Sequence, residues 1–276
     1  MNSIELTCPA KLNLNLSILN KRIDGMHEIN SQFQLIDLYD EMKIQRTKNK
    51  TVLVKTNIGK SIDGENNLVH KAINVLSDYI GKEIYCDVHI KKNIPIGGGL
   101  GGGSSNAAAA LIGINVLFQL GLSSQNLIKI GEKLGADVPF FIFGKNAQVS
   151  GIGHHLIEKK NTPKKKYLLL FPQIHSSTKK LFLQWDKLNL QTQKLIMQRE
   201  ENSFLPLFLD NNESINKVYQ ELYQTSPLRL SGSGSTMFYA YDEISEIENT
   251  LKKIPTKWRH SFCEPLQYSP LLTYLT

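Results

Sequence analysis

No apolar run in the 276 residues approaches the roughly 18–20 that a helix needs to cross a bilayer, so the sequence offers no candidate membrane span. Residues 1–19 lack the basic lead, unbroken apolar core and small-residue cleavage site of a secretory signal, and none is expected. Cysteine is scarce: Cys8, Cys86 and Cys263 are far apart, odd in number and without metal-ligand spacing. That pattern excludes a disulfide framework and a thiolate metal site, and fits reduced thiols in a cytoplasmic protein. Internal repeats are also missing.

What is present reads as globular. Apolar residues make up 41% of the chain and charged residues 21%, which argues against wholesale disorder. The length suits two domains better than one core. A net charge of +7 suits an anionic partner: a nucleotide, a phosphorylated metabolite or a nucleic acid. The densest lysine cluster, Glu158 to Lys166, reads instead as an exposed loop, because no aromatics are interleaved to stack on bases.

Patterning gives a mixed order of elements. Leu12, Leu14, Leu16 and Ile18 alternate with Asn13, Asn15 and Ser17 as one strand, ended by an Asp24-Gly25 turn. Residues 33–37 and 40–46 read as two further strands. Asn66 or Asn67 can cap a helix in which Val69, Ala72, Ile73, Leu76 and Ile80 recur at helical spacing. A strand at Ile84–Ile90, helices over 107–120 and from Ser123 to Leu134, and a strand at Tyr167–Phe171 follow. Helices near 189–209 and 212–224, a strand at Met237–Tyr241, a helix over 243–253 and a strand at Trp258–Cys263 complete the reading. Without a strict βαβ rhythm the class is α+β. The lysine-rich stretch is the expected boundary between an N-terminal domain, 1–158, and a C-terminal domain, 159–276.

The most informative segment is Pro95 to Asn106, with six glycines in the seven positions 97–103. Such a run is costly in backbone entropy and makes sense where the backbone must approach a ligand. A strand precedes it and an Ala-rich helix follows, so a phosphate could rest on backbone N–H groups at the helix N-terminus. A flexible linker is the bland alternative, but linkers are not flanked so closely by regular structure. No lysine follows the last glycine, so this is not a Walker A loop, and its setting is not that of a dinucleotide fold.

The string from Pro95 to Asn106 resembles the ATP-binding motif of the GHMP kinases, the group that includes galactokinase, homoserine kinase and mevalonate kinase. Other segments are similar to that family in the same order: Pro9-Ala-Lys-Leu-Asn-Leu14, Asp24-Gly-Met-His-Glu28, Leu134-Gly-Ala-Asp-Val-Pro139, Arg229-Leu-Ser-Gly-Ser-Gly234 and Tyr268-Ser-Pro-Leu271. Together they span nearly the whole chain. They are most similar to the branch that phosphorylates the 2-hydroxyl of 4-diphosphocytidyl-2-C-methyl-D-erythritol on the non-mevalonate route to isoprenoid precursors.

The resemblance implies a two-domain α+β fold with the active site in the interdomain cleft. Pro95, Gly97, Gly98, Gly99, Leu100, Gly101, Gly102, Gly103, Ser104 and Ser105 would hold ATP, with Mg²⁺ expected and its protein ligands unassigned beyond Ser104 or Ser105. Asp137 would accept the hydroxyl proton, although a helix N-cap before Val138-Pro139 is the structural alternative. Lys11 would bind and orient that carboxylate, although a lone lysine is usually surface. Asn13, Met26, His27, Phe182, Gly232 and Ser233 would face the acceptor, with His27 at its cytosine end. Met26 stands where the family has a tyrosine that stacks on the base, and Trp185 competes with Phe182 for the second stacking position. Ser235 and Thr236 are polar where family members often carry small or apolar residues. Two alternatives are another GHMP kinase of homoserine or mevalonate type, which would not need the Asp-Gly-Met-His-Glu motif, and a nucleic-acid-binding protein.

Overall fold

In a computed structural model, residues 1–59, 62–160, 164–199 and 201–275 are described. The middle of the lysine-rich stretch, 161–163, lies outside the described residues. The first part of the chain runs β1 (Ser3–Asn13), β2 (Ser17–Lys21), β3 (His27–Arg46), β4 (Val52–Thr56), α1 (Leu68–Ile80), β5 (Cys86–Lys91), α2 (Gly102–Leu117), α3 (Ser124–Glu132), α4 (Val138–Phe143), β6 (Ala147–Ser150) and β7 (His155–Glu158). There follow β8 (Lys166–Phe171), α5 (Thr178–Trp185), α6 (Leu190–Arg199), α7 (Leu205–Asp210), α8 (Glu213–Tyr223), β9 (Arg229–Leu230), β10 (Met237–Tyr241), α9 (Glu248–Leu251), β11 (Arg259–Cys263) and β12 (Pro265–Leu266). The expected boundary at 158/159 falls at the end of β7.

Among the described residues the strands form an eight-stranded and a four-stranded sheet. The spine of the first is β3. Met42 and Ile44 turn inward while Glu41, Lys43 and Gln45 face water, the alternation of a half-buried strand. Its two halves, expected as separate strands, are continuous. A register shift opposite Pro9 and Ala10 of β1 leaves Asp37 and Leu38 as a bulge that bends the strand without ending it. Conversely, the strand expected over 12–18 breaks after Asn13, because the Asn15 side chain accepts the backbone N–H of Gln32 at 2.7 Å in place of a ladder bond.

Helix α2 is apolar on nearly all sides and runs through the first core against β1, α1 and α4. It begins at Gly102, five residues before the expected start, and ends three residues early. Helix α1 is capped as expected, Asn67 accepting the N–H of Val69 at 2.9 Å.

The second sheet runs β11-β8-β10-β9 and packs on α5, α7 and α8. Helix α5, whose Leu181 and Trp185 face the core one turn apart, is not among the elements expected from the sequence. The expected long helix over 189–209 is interrupted because Asn202 turns inward: its amide donates to the carbonyls of Leu230 and Gly232 at 2.7 and 2.8 Å, and its Oδ1 accepts from Phe204 N. The helix expected over 243–253 is a 3-10 turn at Ile244–Glu246 followed by the short α9.

Segments cross between the two halves. Leu16 and Ile18 pack in the core of the second sheet, while β12 returns to pair with β3 and Leu271 enters the first core. Between the sheets lies a third cluster of Ala10, Leu12, Ile36, Ile94, Leu100, Tyr167, Leu169, Phe171, Phe238 and Cys263. This cluster sets the spacing of the cleft above it.

All three cysteines are buried and unpaired. Burial pushes the thiols of Cys8, Cys86 and Cys263 up to about 12, so they stay protonated at pH 8 and shielded from reagents. Native protein at pH 8 is therefore expected to resist iodoacetamide, and urea-unfolded protein to take up one label per cysteine by mass spectrometry. Rapid labelling of the native state would contradict this placement.

Candidate active site

The glycine-rich loop enters the cleft from β5 and leaves it as α2, with Gly101 at the N-cap in the left-handed region, φ +72°. It lies backbone to backbone on the turn Ser231–Thr236. Thr236 N donates to Gly98 O at 3.1 Å, Ser231 Oγ to Gly99 O at 3.1 Å, and Lys11 N to Leu100 O at 3.0 Å. At Gly99 the approach is so close that a Cβ would sit 2.3 Å from the Ser231 carbonyl oxygen, and φ is +75°. Asn202 braces the same turn through the Gly232 carbonyl. Ser235, unaccounted for in the sequence, ties the turn to the segment after β8 by donating to Ile174 O at 2.7 Å.

Beneath the loop is a buried charge network absent from the sequence expectations. The Asp40 carboxylate, fully buried on β3, accepts from Asn93 N at 2.8 Å, Ile94 N at 2.9 Å and Asn106 Nδ2 at 3.0 Å, and pairs with the Lys92 ammonium. Lys92 also donates to Asn106 Oδ1 at 2.8 Å. Both ends of the loop are thus fixed to one buried anion whose lone pairs are satisfied.

On its outer side the loop lines a cavity of about 390 Å³, with Pro95, Gly97 to Gly103, Ser104 and Asn106 on one wall and Asn66, Asn67 and Leu68 on the other. The first-turn N–H groups of α2 carry the positive end of its dipole. Of the two expected serines, Ser104 lines the cavity, whereas Ser105 is fully buried with an Oγ lacking a hydrogen-bond partner. A cradle without side chains and an unused hydroxyl at a helix N-terminus fit a polyphosphate and its cation.

On its inner side the loop lines a larger cavity of about 880 Å³ that shares Gly97, Gly99 and Gly101 with the first. Lys11 and Asn13, expected on one strand face, lie here at the end of β1. The Lys11 ammonium is 3.3 Å from Asp137 Oδ2, donates to Asn13 Oδ1 at 2.6 Å and sits 4.3 Å from the centroid of the Phe33 ring. Asn13 in turn donates to Ser31 Oγ at 2.9 Å. Asp137 occupies the N-cap position of α4, but its side chain makes no capping hydrogen bond. The carboxylate instead stays 30% exposed beside Lys11. Gly232 and Ser233 line the same cavity.

The far end of this cavity is closed by Met26, His27 and Phe182. Met26 is half exposed at the rim, and the His27 ring stacks on Phe182 at 4.7 Å with an interplanar angle of 16°. The two rings are in contact, so a base does not slot between them without their separation. Trp185 is buried in the second core and lines no part of the cavity, whereas Phe182 lines it together with Phe33 and Phe204. Two residues missed in the sequence complete this end. Asp186 at the α5 C-cap accepts from His27 Nε2 at 2.6 Å and from Lys21 Nζ at 2.5 Å. Burial raises the Asp186 carboxyl, but the hydrogen bonds from Lys21 and His27 outweigh it and hold it below the usual range.

Residues 67–145 match the model of the GHMP kinases N terminal domain. Curated relatives named 4-diphosphocytidyl-2-C-methyl-D-erythritol kinase include one from Marinomonas sp., 34% identical over 98% of this chain and 90% of its own. Another, from Polynucleobacter necessarius, is 38% identical over 94% and 91%. The chain belongs to the 4-diphosphocytidyl-2-C-methyl-D-erythritol kinase family. Its fold matches a crystal structure of 4-(cytidine 5'-diphospho)-2C-methyl-D-erythritol kinase with a TM-score of 0.76 at 24% identity, covering 95% of this chain and 99% of that one. Mevalonate kinase of Methanococcus jannaschii follows with a TM-score of 0.70 at 16% identity, covering 95% and 98%. The α+β GHMP kinase fold is therefore shared beyond the 4-diphosphocytidyl-2-C-methyl-D-erythritol kinase family.

The contact at Gly99 yields a test. Gly99→Ala places a Cβ against the Ser231 carbonyl at a φ that costs about 1–2 kcal/mol for an L-residue. With the clash added, nucleotide affinity is expected to fall at least about tenfold, as read by titration with a fluorescent ATP analogue. Unchanged affinity would show that the loop does not need this approach.

Proposed function

We propose that the chain transfers the γ-phosphate of ATP to the 2-hydroxyl of 4-diphosphocytidyl-2-C-methyl-D-erythritol. The observation that carries this reading is Asp137: it stands at a helix N-cap without capping, beside Lys11 and in the cavity that the glycine loop also lines. Phosphoryl transfer asks a protein mainly to position groups and to stabilise charge. Asp137 accepts the hydroxyl proton as the new O–P bond forms and the bond from the γ-phosphorus to the β–γ bridging oxygen breaks, releasing ADP. Lys11 and, through it, Asn13 hold that carboxylate in place. The acceptor is a tertiary alcohol, weakly acidic and crowded, so orientation is the main contribution.

The glycine loop and the first turn of α2 cradle the triphosphate, with Ser104 on the cavity wall to meet phosphate oxygens or Mg²⁺ and the unpartnered Ser105 hydroxyl buried behind it. Mg²⁺, when bound beside Ser104, would neutralise charge on the triphosphate. His27 and Phe182 receive the cytosine end of the acceptor, and the half-exposed Met26 thioether covers it less rigidly than an aromatic ring. Three unpaired thiols suit a reducing cytoplasm.

A coupled ADP-release assay with Mg-ATP tests the reading. The cytidyl substrate is compared with the sugar lacking cytidyl diphosphate, and with mevalonate and homoserine. Turnover of the cytidyl substrate alone is the expected result; turnover of another acceptor would keep the chemistry and overturn the substrate. In the same assay Asp137→Ala is expected to lose about 10²–10⁴-fold in kcat while still binding ATP. Near-normal turnover in that variant would remove Asp137 from the mechanism.

A further inference from the structure

We propose that Asp186 is a positioning residue for the acceptor site: it takes the Nε2–H of His27 and so commits Nδ1 to the base of the acceptor. This rests on the function proposed above and extends it to a residue outside the matched motifs. A carboxylate only accepts, so at 2.6 Å the shared proton belongs to Nε2 of His27. Two further contacts and burial fix the arrangement. The second carboxylate oxygen of Asp186 is held by Lys21 at 2.5 Å, which stops the carboxylate from rotating away. Phe182 stacks on the imidazole and fixes its plane. His27 is only 8% exposed, so its ring needs these partners.

The clamp joins three elements: Lys21 closes β2, His27 opens β3, and Asp186 caps the C-terminus of α5. It therefore also ties the two halves of the cavity together. In the neutral ring, the Nδ1 left over is an acceptor. That suits a base bearing an exocyclic amine, as cytosine does, and opposes one with a carbonyl at the same place, as uracil has. Without Asp186 both tautomers become accessible, and an Nδ1–H can then meet a carbonyl.

Two readouts separate this role from mere scaffolding. Side-chain ¹⁵N NMR of histidine-labelled protein is expected to show His27 in the Nε2-protonated form, and in Asp186→Leu a mixture of tautomers. In steady-state kinetics Asp186→Leu is expected to raise KM for the cytidyl acceptor about tenfold, to leave KM for ATP in place and to narrow the preference for the cytidyl over the uridyl acceptor. Asp186→Asn, whose carbonyl still accepts from Nε2–H, should show a smaller rise. Unaltered His27 tautomers in Asp186→Leu, or an unaltered cytidyl preference, would overturn the proposal. If wild-type protein turns over neither pyrimidine acceptor, it is the proposed function that fails. The tautomer spectrum would then still decide whether Asp186 sets the ring.

Discussion

Everything at the cleft depends on the contact of one backbone with another, where Gly98 and Gly99 lie on the turn Ser231–Thr236. Backbone groups so close leave no room for a Cβ and satisfy each other's hydrogen bonds across the two halves. The contact fixes where the first turn of α2 points and where Lys11 lies, because the backbone N–H of Lys11 donates to Leu100 of the same loop. Leu100 is driven into the cluster between the sheets, so the loop is anchored by apolar burial as well as by hydrogen bonds. A flexible glycine linker would do none of this. The run is held here because Gly99 lies where only a chain without a side chain fits.

A second constraint lies under the first. The ion pair of Asp40 and Lys92 is buried, and such pairs stabilise little in themselves because desolvation offsets the attraction. Its value is geometric. Asp40 also receives the N–H groups of Asn93 and Ile94 and the amide of Asn106, which bracket the loop. Removing either charge alone would leave the other buried and unpaired, so the network holds as a unit.

Much of this could be read in the sequence, and the rest could not for physical reasons. The glycine string, Lys11, Asn13, Asp137 and His27 were legible because each sits within a short, ordered motif. The start of α2 was misplaced because Gly102 and Gly103 are poor helix formers, and propensity does not see that a helix N-terminus aimed at a ligand takes them for closeness. The break at Asn202 was invisible because its cause is a set of carbonyls about thirty residues away. Asp186 and Asp40 were missed for the same reason: their partners Lys21, His27, Lys92 and Asn106 are remote in sequence, and no spacing rule links them. Phe182 and Trp185 were indistinguishable by composition and are separated only by which face of α5 each occupies.

Lys11 shows how the site divides its labour. An ammonium has three N–H donors, and its surroundings supply Asn13 at 2.6 Å, Asp137 at 3.3 Å and the face of Phe33. The contact with Asp137 is the longer of the two to oxygen, and the Asp137 carboxylate is partly exposed whereas Asn13 is buried. If a phosphoryl oxygen is to meet Lys11, that contact is the one to yield, since Asn13 is itself held by Ser31 and Ser231. The exchange would come as the transferred group gains charge and Asp137 takes up the hydroxyl proton, losing its own negative charge. Lys11 would then follow the negative charge from base to phosphoryl group without moving its anchor, which is how one buried lysine can orient the ground state and stabilise the transition state in turn.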